Sequence, residues 1–149
     1  MNAKFYRETR NIPLIVLVSL LLVLQGCATK RVADYDAAIK KEIITISKQV
    51  DTFYGELIET EESARKYDAF KEKYIEIEVG VRALIMQNKA RPLNDESVSI
   101  SETTIKKWIK YKNKHKSEDR YKTVLAENHR ERFTRLFTAM LVAEKSKKM

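Results

Sequence analysis

One cysteine in 149 residues leaves this chain unable to form a disulfide within itself. Glycine and proline are scarce as well, with three and two residues respectively. β-Sandwiches and β-barrels need many tight turns, and these turns draw on glycine, proline and asparagine. Lysine, glutamate and alanine, which favour helices, are abundant instead. The composition therefore excludes a disulfide-stapled fold and predicts a few long helices.

The first 26 residues have the order of charge and apolar sequence that is typical of a secretory signal. Lys4, Arg7 and Arg10 make the start positive, and residues 12–24 follow as an apolar run. This run is shorter than the roughly 20 residues that a helix needs to cross a membrane. A positive start, a short apolar core and small residues before a cut site indicate a signal peptide that is removed from the mature protein.

The apolar run ends in Leu24-Gln25-Gly26-Cys27, which resembles the lipobox of bacterial lipoproteins. In that family an aliphatic residue, a tolerant position and Gly or Ala precede an invariant cysteine; Gln25 is bulkier than the family's usual residue. The resemblance implies a diacylglycerol on the Cys27 sulfur and a cut by signal peptidase II between Gly26 and Cys27. No cofactor or metal is expected beyond that covalent lipid. The alternative is an uncleaved signal anchor in which Cys27 has no role.

The residues that follow the cysteine bear on where the protein lies. Residue 28 is Ala and not Asp, so the resemblance implies no inner-membrane retention signal. In a Gram-negative host the periplasmic face of the outer membrane is then the expected location. We expect three parts: a signal peptide (1–26), a lipidated cysteine with a short tether (27–33), and one domain (34–149). The tether reaches at most about 20 Å, so the domain is expected close to the membrane.

Apolar residues recur at spacings of three and four in the first half of that domain, as on the buried face of a helix. We predict a first helix from about Asp34, which caps it, and a second over about residues 63–89. Tyr67, Phe70 and Tyr74 open the stripe of the second helix, and this spacing is more typical of a bundle core than of a ligand site. The two helices are expected to form a long antiparallel hairpin.

The second half of the domain has a less regular pattern. A loop is predicted at residues 91–96, and Ser99 or Ser101 can cap a short third helix. The lysine-rich residues 110–117 are predicted to end that helix as a linker, and a fourth helix is predicted over about residues 118–145. The expected fold is all-α, an up-down antiparallel bundle of about four helices with the third one short.

No arrangement of residues in the sequence indicates catalysis, so an enzyme is not expected. His115 lies among lysines, whose charges disfavour both its protonation and a bound metal ion. His129 has only Glu127 and Glu131 nearby, whereas a zinc site needs three or four good ligands. We therefore interpret the histidines as structural, and no metal site is predicted. Pairs of carboxylates such as Glu76 and Glu78 are interpreted as solvated charges.

The most unusual surface feature is a cluster of lysines with no acidic residue between positions 103 and 117. In a cytosolic protein such a cluster would suggest nucleic acid, but export argues against that partner. Anionic lipid or the phosphates of lipopolysaccharide are better candidates near a membrane, where each cation contributes about 1 kcal/mol. The alternative is a solvated stretch that keeps the protein soluble. The cluster consists of Lys106, Lys107, Lys110, Lys112, Lys114 and Lys116.

Three functions remain open from the sequence. The leading one is a membrane-anchored, non-enzymatic envelope lipoprotein that acts as a protein interaction or structural module, with another envelope protein as its partner. The second is a binder of anionic lipid or lipopolysaccharide through the lysine cluster. The third is an exclusion or immunity lipoprotein of a phage or mobile element, which no residue pattern selects.

Overall fold

Four α-helices make up most of the computed structural model, which describes residues 32–148. They are α1 (Ala37–Glu59), α2 (Tyr67–Lys89), α3 (Asp95–Glu118) and α4 (Thr123–Ser146), and a 3-10 turn (Glu62–Ala64) lies between α1 and α2. The described residues contain no β-strand. The prediction of an all-α fold with four helices is therefore confirmed. None of these helices is long and apolar enough to cross a bilayer.

The helices form an up-down antiparallel bundle. Each helix packs on its neighbours in the sequence, and α1 also packs on α4, so the four helices close around one core. Short connections reverse the chain three times and give the bundle two ends. The entry end holds residues 32–36, residues 90–94 and the end of α4, whereas the far end holds the connections 60–66 and 119–122.

The core is rich in aromatic side chains that all four helices contribute. Trp108 of α3 is fully buried, and its indole N–H donates to the carbonyl oxygen of Tyr74 at 3.0 Å. Phe53 of α1 contacts the Trp108 ring edge-on, with ring centroids 5.1 Å apart. Tyr67, Phe70 and Tyr74 all lie in this core, as the spacing predicts. The largest fully buried side chains are Trp108, Tyr54, Tyr74, Phe53, Phe133 and Phe137.

The helix starts in the first half of the domain differ slightly from those expected. Helix α1 is capped by Asp36, not Asp34, because the Asp36 carboxylate accepts the N–H groups of Ala38 at 2.7 Å and Ile39 at 3.3 Å. Helix α2 begins only at Tyr67, since the preceding residues form the 3-10 turn.

The expectation of a short third helix followed by a lysine-rich linker is wrong. Helix α3 is as long as α4, and residues 99–117 lie inside it. Its buried face includes Ser97, Ser101 and Thr104, so the apolar periodicity is weak. The Ser101 hydroxyl donates to the Ser97 carbonyl at 2.7 Å, and the Thr104 hydroxyl donates to the Ile100 carbonyl at 2.9 Å. These local bonds let hydroxyl groups occupy a buried helix face.

Candidate binding surface and the two ends of the bundle

The six lysines of the cluster do not share one face of α3, because successive residues of a helix point about 100° apart. Two of them lie against α2. The Lys112 ammonium pairs with the Glu78 carboxylate at 2.5 Å, where both side chains are largely buried. The Lys116 ammonium lies 5.9 Å from the centre of the Tyr67 ring. Glu78 is thus part of an ion pair between helices, not a freely solvated charge as expected.

Two other lysines lie on the side of α3 that faces α4. The pKa of His129 is lowered to about 4, first by burial and then by the charges of Arg132, Lys114 and Lys110. A charge effect of this kind requires these cations to lie near the His129 ring. Lys114 also forms a 3.9 Å ion pair with Glu118. This surface of α3 and α4 is consequently strongly basic.

The last two lysines of the cluster carry no ion pair within 4 Å among residues 32–148. Lys106 is exposed and Lys107 is half-buried. The surrounding charge is also uneven, because residues 95–148 carry 14 basic against 8 acidic residues, a net charge of +6. Residues 32–94 carry 10 basic against 12 acidic residues, a net charge of −2. The candidate binding surface is therefore the exposed side of α3 together with the adjoining side of α4.

At the far end, a single buried arginine joins the two helix connections. Arg65 is 3% exposed, and its Nε donates to the Thr60 carbonyl at 2.7 Å. One terminal nitrogen donates to the Ile58 carbonyl at 3.0 Å. The other donates to the Tyr121 carbonyl at 3.0 Å and to the Thr123 hydroxyl at 2.9 Å. The guanidinium fork thus fixes the α1–α2 connection to the α3–α4 connection.

Each of these connections also caps a helix of the opposite hairpin. The Glu62 carboxylate accepts the backbone N–H of Thr123 at 2.8 Å, and this bond lowers the pKa of Glu62. The Asp119 carboxylate accepts the backbone N–H of Tyr67 at 2.9 Å, which lowers the pKa of Asp119. Asp119 has a φ of 46°, a left-handed conformation that Asp tolerates better than most residues. The far end is therefore held by crossed caps.

Both histidines lie in the part of the aromatic core that adjoins the far end. His115 is 1% exposed, and one ring nitrogen, Nε2, lies 2.9 Å from the Arg65 carbonyl oxygen. A carbonyl can only accept, so Nε2 carries the proton and Nδ1 accepts from the Tyr74 hydroxyl at 3.1 Å. Burial lowers the pKa of His115, which keeps this neutral form. His115 is a core residue despite its lysine-rich sequence context.

His129 occupies a similar position on α4. Its ring stacks on Tyr111 with centroids 3.5 Å apart, and its Nδ1 bonds with the Tyr121 hydroxyl. A cavity of only ≈ 10 Å³, which has room for about one water, adjoins the side chains of Tyr111, Tyr121 and His129. The buried Tyr54 hydroxyl has no hydrogen-bond partner among the described residues. Burial raises the pKa of Tyr54, and the nearby Tyr121 raises it further.

The entry end contains a second buried polar cluster, centred on Glu144. This side chain is 1% exposed and accepts two bonds of 3.0 Å from the Arg91 guanidinium. It also accepts the Lys147 ammonium at 2.7 Å and the Asp36 backbone N–H at 2.7 Å. Burial raises the pKa of Glu144, but these donors outweigh it and the net pKa is lowered. Glu144 thus joins the chain entry to the end of α4.

Two further sets of hydrogen bonds hold the entry end together. The backbone N–H of Ala33 donates to the Leu93 carbonyl at 2.9 Å, and Ala33 is 4% exposed. The Lys147 ammonium also donates to Asn94 at 2.6 Å and Ser97 at 2.8 Å. The chain is therefore already packed against the bundle at Ala33, within the segment expected to be tether.

The predicted cleavage and lipidation residues, Gly26 and Cys27, lie outside the described residues. His129 is buried whereas Glu127 and Glu131 are exposed, so these three side chains do not form a common site. In residues 32–148 no three His, Cys, Asp or Glu side chains come together in a way that could hold a metal ion.

No protein-family model matches the chain, and neither a curated protein nor a solved structure matches it significantly. Function must therefore be inferred from the residues and their geometry.

The sequence pattern does not single out the side chains that hold the two ends of the bundle. Arg65 follows the acidic residues Glu61 and Glu62, and Glu144 follows the apolar residues 139–143, yet both charged side chains are buried. Asp119 and Glu62 are acidic residues near helix starts, where carboxylates are favourable, but each caps a helix of the opposite hairpin, which the sequence does not show.

Proposed function

We propose that this chain is an envelope lipoprotein whose helical domain is held by lipid on Cys27 and acts as a protein interaction or structural module. The observation that supports it most is the arrangement of the two ends. The chain enters the bundle where Ala33 and Asp36 are hydrogen-bonded to Leu93 and Glu144. A lipid on Cys27 would therefore hold the domain by its entry end and leave the far end directed away from that membrane.

The position of the lysines favours a protein partner over the membrane that carries the anchor. Along α3, at 1.5 Å per residue, Lys106 lies roughly 16 Å and Lys116 roughly 30 Å from Asp95 at the entry end. Charges separated from a surface by more than about 8 Å are largely screened at physiological ionic strength. Binding to anionic lipid or lipopolysaccharide in that membrane would require the bundle to lie on its side with α3 facing the lipid.

Photo-crosslinking in intact cells tests the proposal. A photoreactive amino acid is placed in the full-length protein at Asn113, between the lysines, and at the exposed Ile75 and Val124 on other helices. We expect a reproducible protein adduct from at least one position. Absence of a protein adduct at all three positions, and also at the exposed Val142 of α4, would overturn the interaction proposal.

A set of lysine variants separates the protein partner from the lipid alternative. Four accessible lysines are replaced by Gln: Lys106, Lys107, Lys110 and Lys114. A matched control replaces four exposed lysines that form no ion pair with another described residue, namely Lys41, Lys48, Lys71 and Lys145. We expect only the first set to reduce the protein adduct. Loss of binding to phosphatidylglycerol vesicles by the first set, with an unchanged protein adduct, would favour the lipid alternative instead.

A further inference from the structure

The α1–α2 and α3–α4 helix pairs pack less extensively than the other two neighbouring pairs, and the surface seams between them differ in chemistry. The seam between α1 and α2 is polar and is bridged by Gln49, which donates to Glu76 at 2.9 Å, and by an ion pair of Lys73 with Glu56. The seam between α3 and α4 contains an apolar groove of ≈ 450 Å³. We call it the apolar groove; its lining includes Ile100, Thr138, Ala139 and Val142, together with the charged residues Glu96 and Arg135.

The apolar groove lies between two bridges that join α3 to α4. At the entry end, the Lys147 ammonium donates to the Ser97 hydroxyl. Nearer the far end, Arg132 donates to the Tyr111 hydroxyl. Between these bridges no side-chain hydrogen bond or ion pair of the described residues crosses the seam. Val142 is 61% exposed there, although an apolar side chain gains free energy from burial.

The same seam becomes basic toward the far end. On α3, Ile100 is followed at helical spacing by Lys107, Lys110 and Lys114, which continue the same side of the helix. On α4, Val142 and Ala139 are followed toward the far end by Arg135 and Arg132 at the same spacing. We call these five cations the basic stretch: Lys107, Lys110, Lys114, Arg132 and Arg135.

Three cations of the basic stretch lie close together around the stacked Tyr111 and His129 rings. Lys110, Lys114 and Arg132 come from two helices, and all three lower the pKa of the same buried His129. Among residues 32–148, only Lys114 and Arg135 of this stretch have carboxylate partners, Glu118 and Glu131, and these pairs lie along their own helices at the surface. Exposed pairs of this kind are weak, so the cations remain available to a partner.

We propose that the α3–α4 seam binds an amphipathic helix of a protein partner, which places apolar side chains in the apolar groove and acidic side chains on the basic stretch. The inference rests on the proposed function and names the chemistry of its partner. The groove volume falls within the range of about 300–1,000 Å³ that is usual for ligand clefts. Helices that dock in such grooves present apolar residues at i, i+3, i+4 and i+7, and opposite charge fixes their direction.

Site-specific photo-crosslinking of the full-length protein in cells tests this inference. The photoreactive residue is placed in the apolar groove at Thr138 or Val142 and, for comparison, at Val124 on the same helix outside it. Mass spectrometry then sequences the captured segment. We expect the groove positions to capture a protein segment with apolar residues at helical spacing and an adjoining acidic stretch, and Val124 to capture it poorly.

Charge reversal supplies the second measurement. Lys107→Glu with Lys110→Glu is expected to lower the groove adduct about tenfold, the change that ~1.4 kcal/mol of like-charge repulsion produces. Lys41→Glu with Lys145→Glu, which makes the same change in net charge elsewhere, is expected to leave it unchanged. Capture of lipid, of a second copy of this chain, or of a segment without acidic residues would overturn the inference. If Ile75 or Asn113 captures a protein and the groove does not, the inference fails while the proposed function stands.

Discussion

The guanidinium of Arg65 donates to the carbonyl oxygen of Tyr121 at 3.0 Å across 56 residues of sequence. This bond joins the two connections of the far end, which otherwise meet through the crossed caps of Glu62 and Asp119. Its counterpart at the entry end is Glu144, which binds Arg91, Lys147 and the Asp36 backbone. Each end of the aromatic core is thus closed by its own buried charged side chain, and each of these side chains has several hydrogen-bond partners.

Arg65→Lys is expected to lower the free energy of unfolding by about 2–4 kcal/mol. The lysine ammonium cannot reach all the carbonyl oxygens that the planar guanidinium binds, so buried carbonyls are left unpaired. Chemical denaturation of the full-length protein in detergent measures the loss. Arg82→Lys is the control, since Arg82 is exposed and pairs only with Glu78 four residues earlier; its expected cost is below about 0.5 kcal/mol. Equal losses for the two variants would contradict the role of Arg65.

Glu144→Ala is expected to destabilise the protein by about 3 kcal/mol or more, because it leaves the Arg91 and Lys147 cations without their buried carboxylate. It should also speed hydrogen exchange at the Ala33 and Asp36 amides, since the entry end loses its attachment. Glu131→Ala removes an exposed pair with Arg135 and is expected to change neither quantity measurably. Unchanged exchange at Asp36 in Glu144→Ala would show that the entry end is held by other contacts.

Stability is expected to fall as the pH drops from about 6.5 to about 4. The pKa of His129 is about 4 in the folded protein, below the ordinary 6.5. Above 6.5 the residue is neutral in both states. Between the two values the unfolded chain binds a proton that the folded protein does not, which costs on the order of 3 kcal/mol in total. Below 4 both states are protonated and this contribution changes no further.

The histidine contribution can be isolated above pH 5. Carboxylates with lowered pKa, such as Glu144, lose their stabilising charge only below their ordinary range near 4.5. His115, whose pKa is also lowered, adds to the slope in the same direction. His129→Asn keeps an acceptor for the Tyr121 hydroxyl and is expected to reduce the slope between pH 7.5 and 5. Denaturation curves at these pH values check it, and a wild-type protein equally stable at both would refute the account.

Two glycines in helices provide a matched pair of substitutions. A Cβ added at Gly55 would meet no atom within 4 Å, so Gly55→Ala is expected to raise the free energy of unfolding by about 0.5–1 kcal/mol through helix propensity. A Cβ at Gly80 would lie 3.3 Å from Ile46 Cγ1, where α2 approaches α1. Gly80→Ala is therefore expected to gain less. A larger gain at Gly80 than at Gly55, measured by denaturation, would contradict this packing.

The first two helices could be predicted from the sequence because their buried faces are apolar at a regular spacing. Ile39, Ile43 and Ile46 in α1, with Tyr74 and Ile77 in α2, are all buried. Helix α3 could not be predicted in full, since Ser97, Ser101, Thr104 and His115 occupy its buried face and lysines surround them. Lysine is itself a good helix former, and its abundance there is compatible with a helix.

The candidate surface could be predicted only in part. The lysine cluster is visible in the sequence, but the sequence does not show that its members lie on different sides of α3. Lys112 and Lys116 are directed to α2 by their position on the helix. The basic stretch also needs Arg132 and Arg135, which come from another helix. Convergence of residues from two helices depends on the packing of the bundle, which the periodicity of one segment does not specify.

The account rests on lipid attached to Cys27, and incorporation of radiolabelled palmitate together with the mass of the protein tests this most directly. We predict that the wild-type chain is labelled and lacks residues 1–26, that Cys27→Ser is unlabelled and keeps them, and that the control Ser19→Ala behaves like wild type. Normal processing of Cys27→Ser, or a wild-type protein without lipid, would contradict the account.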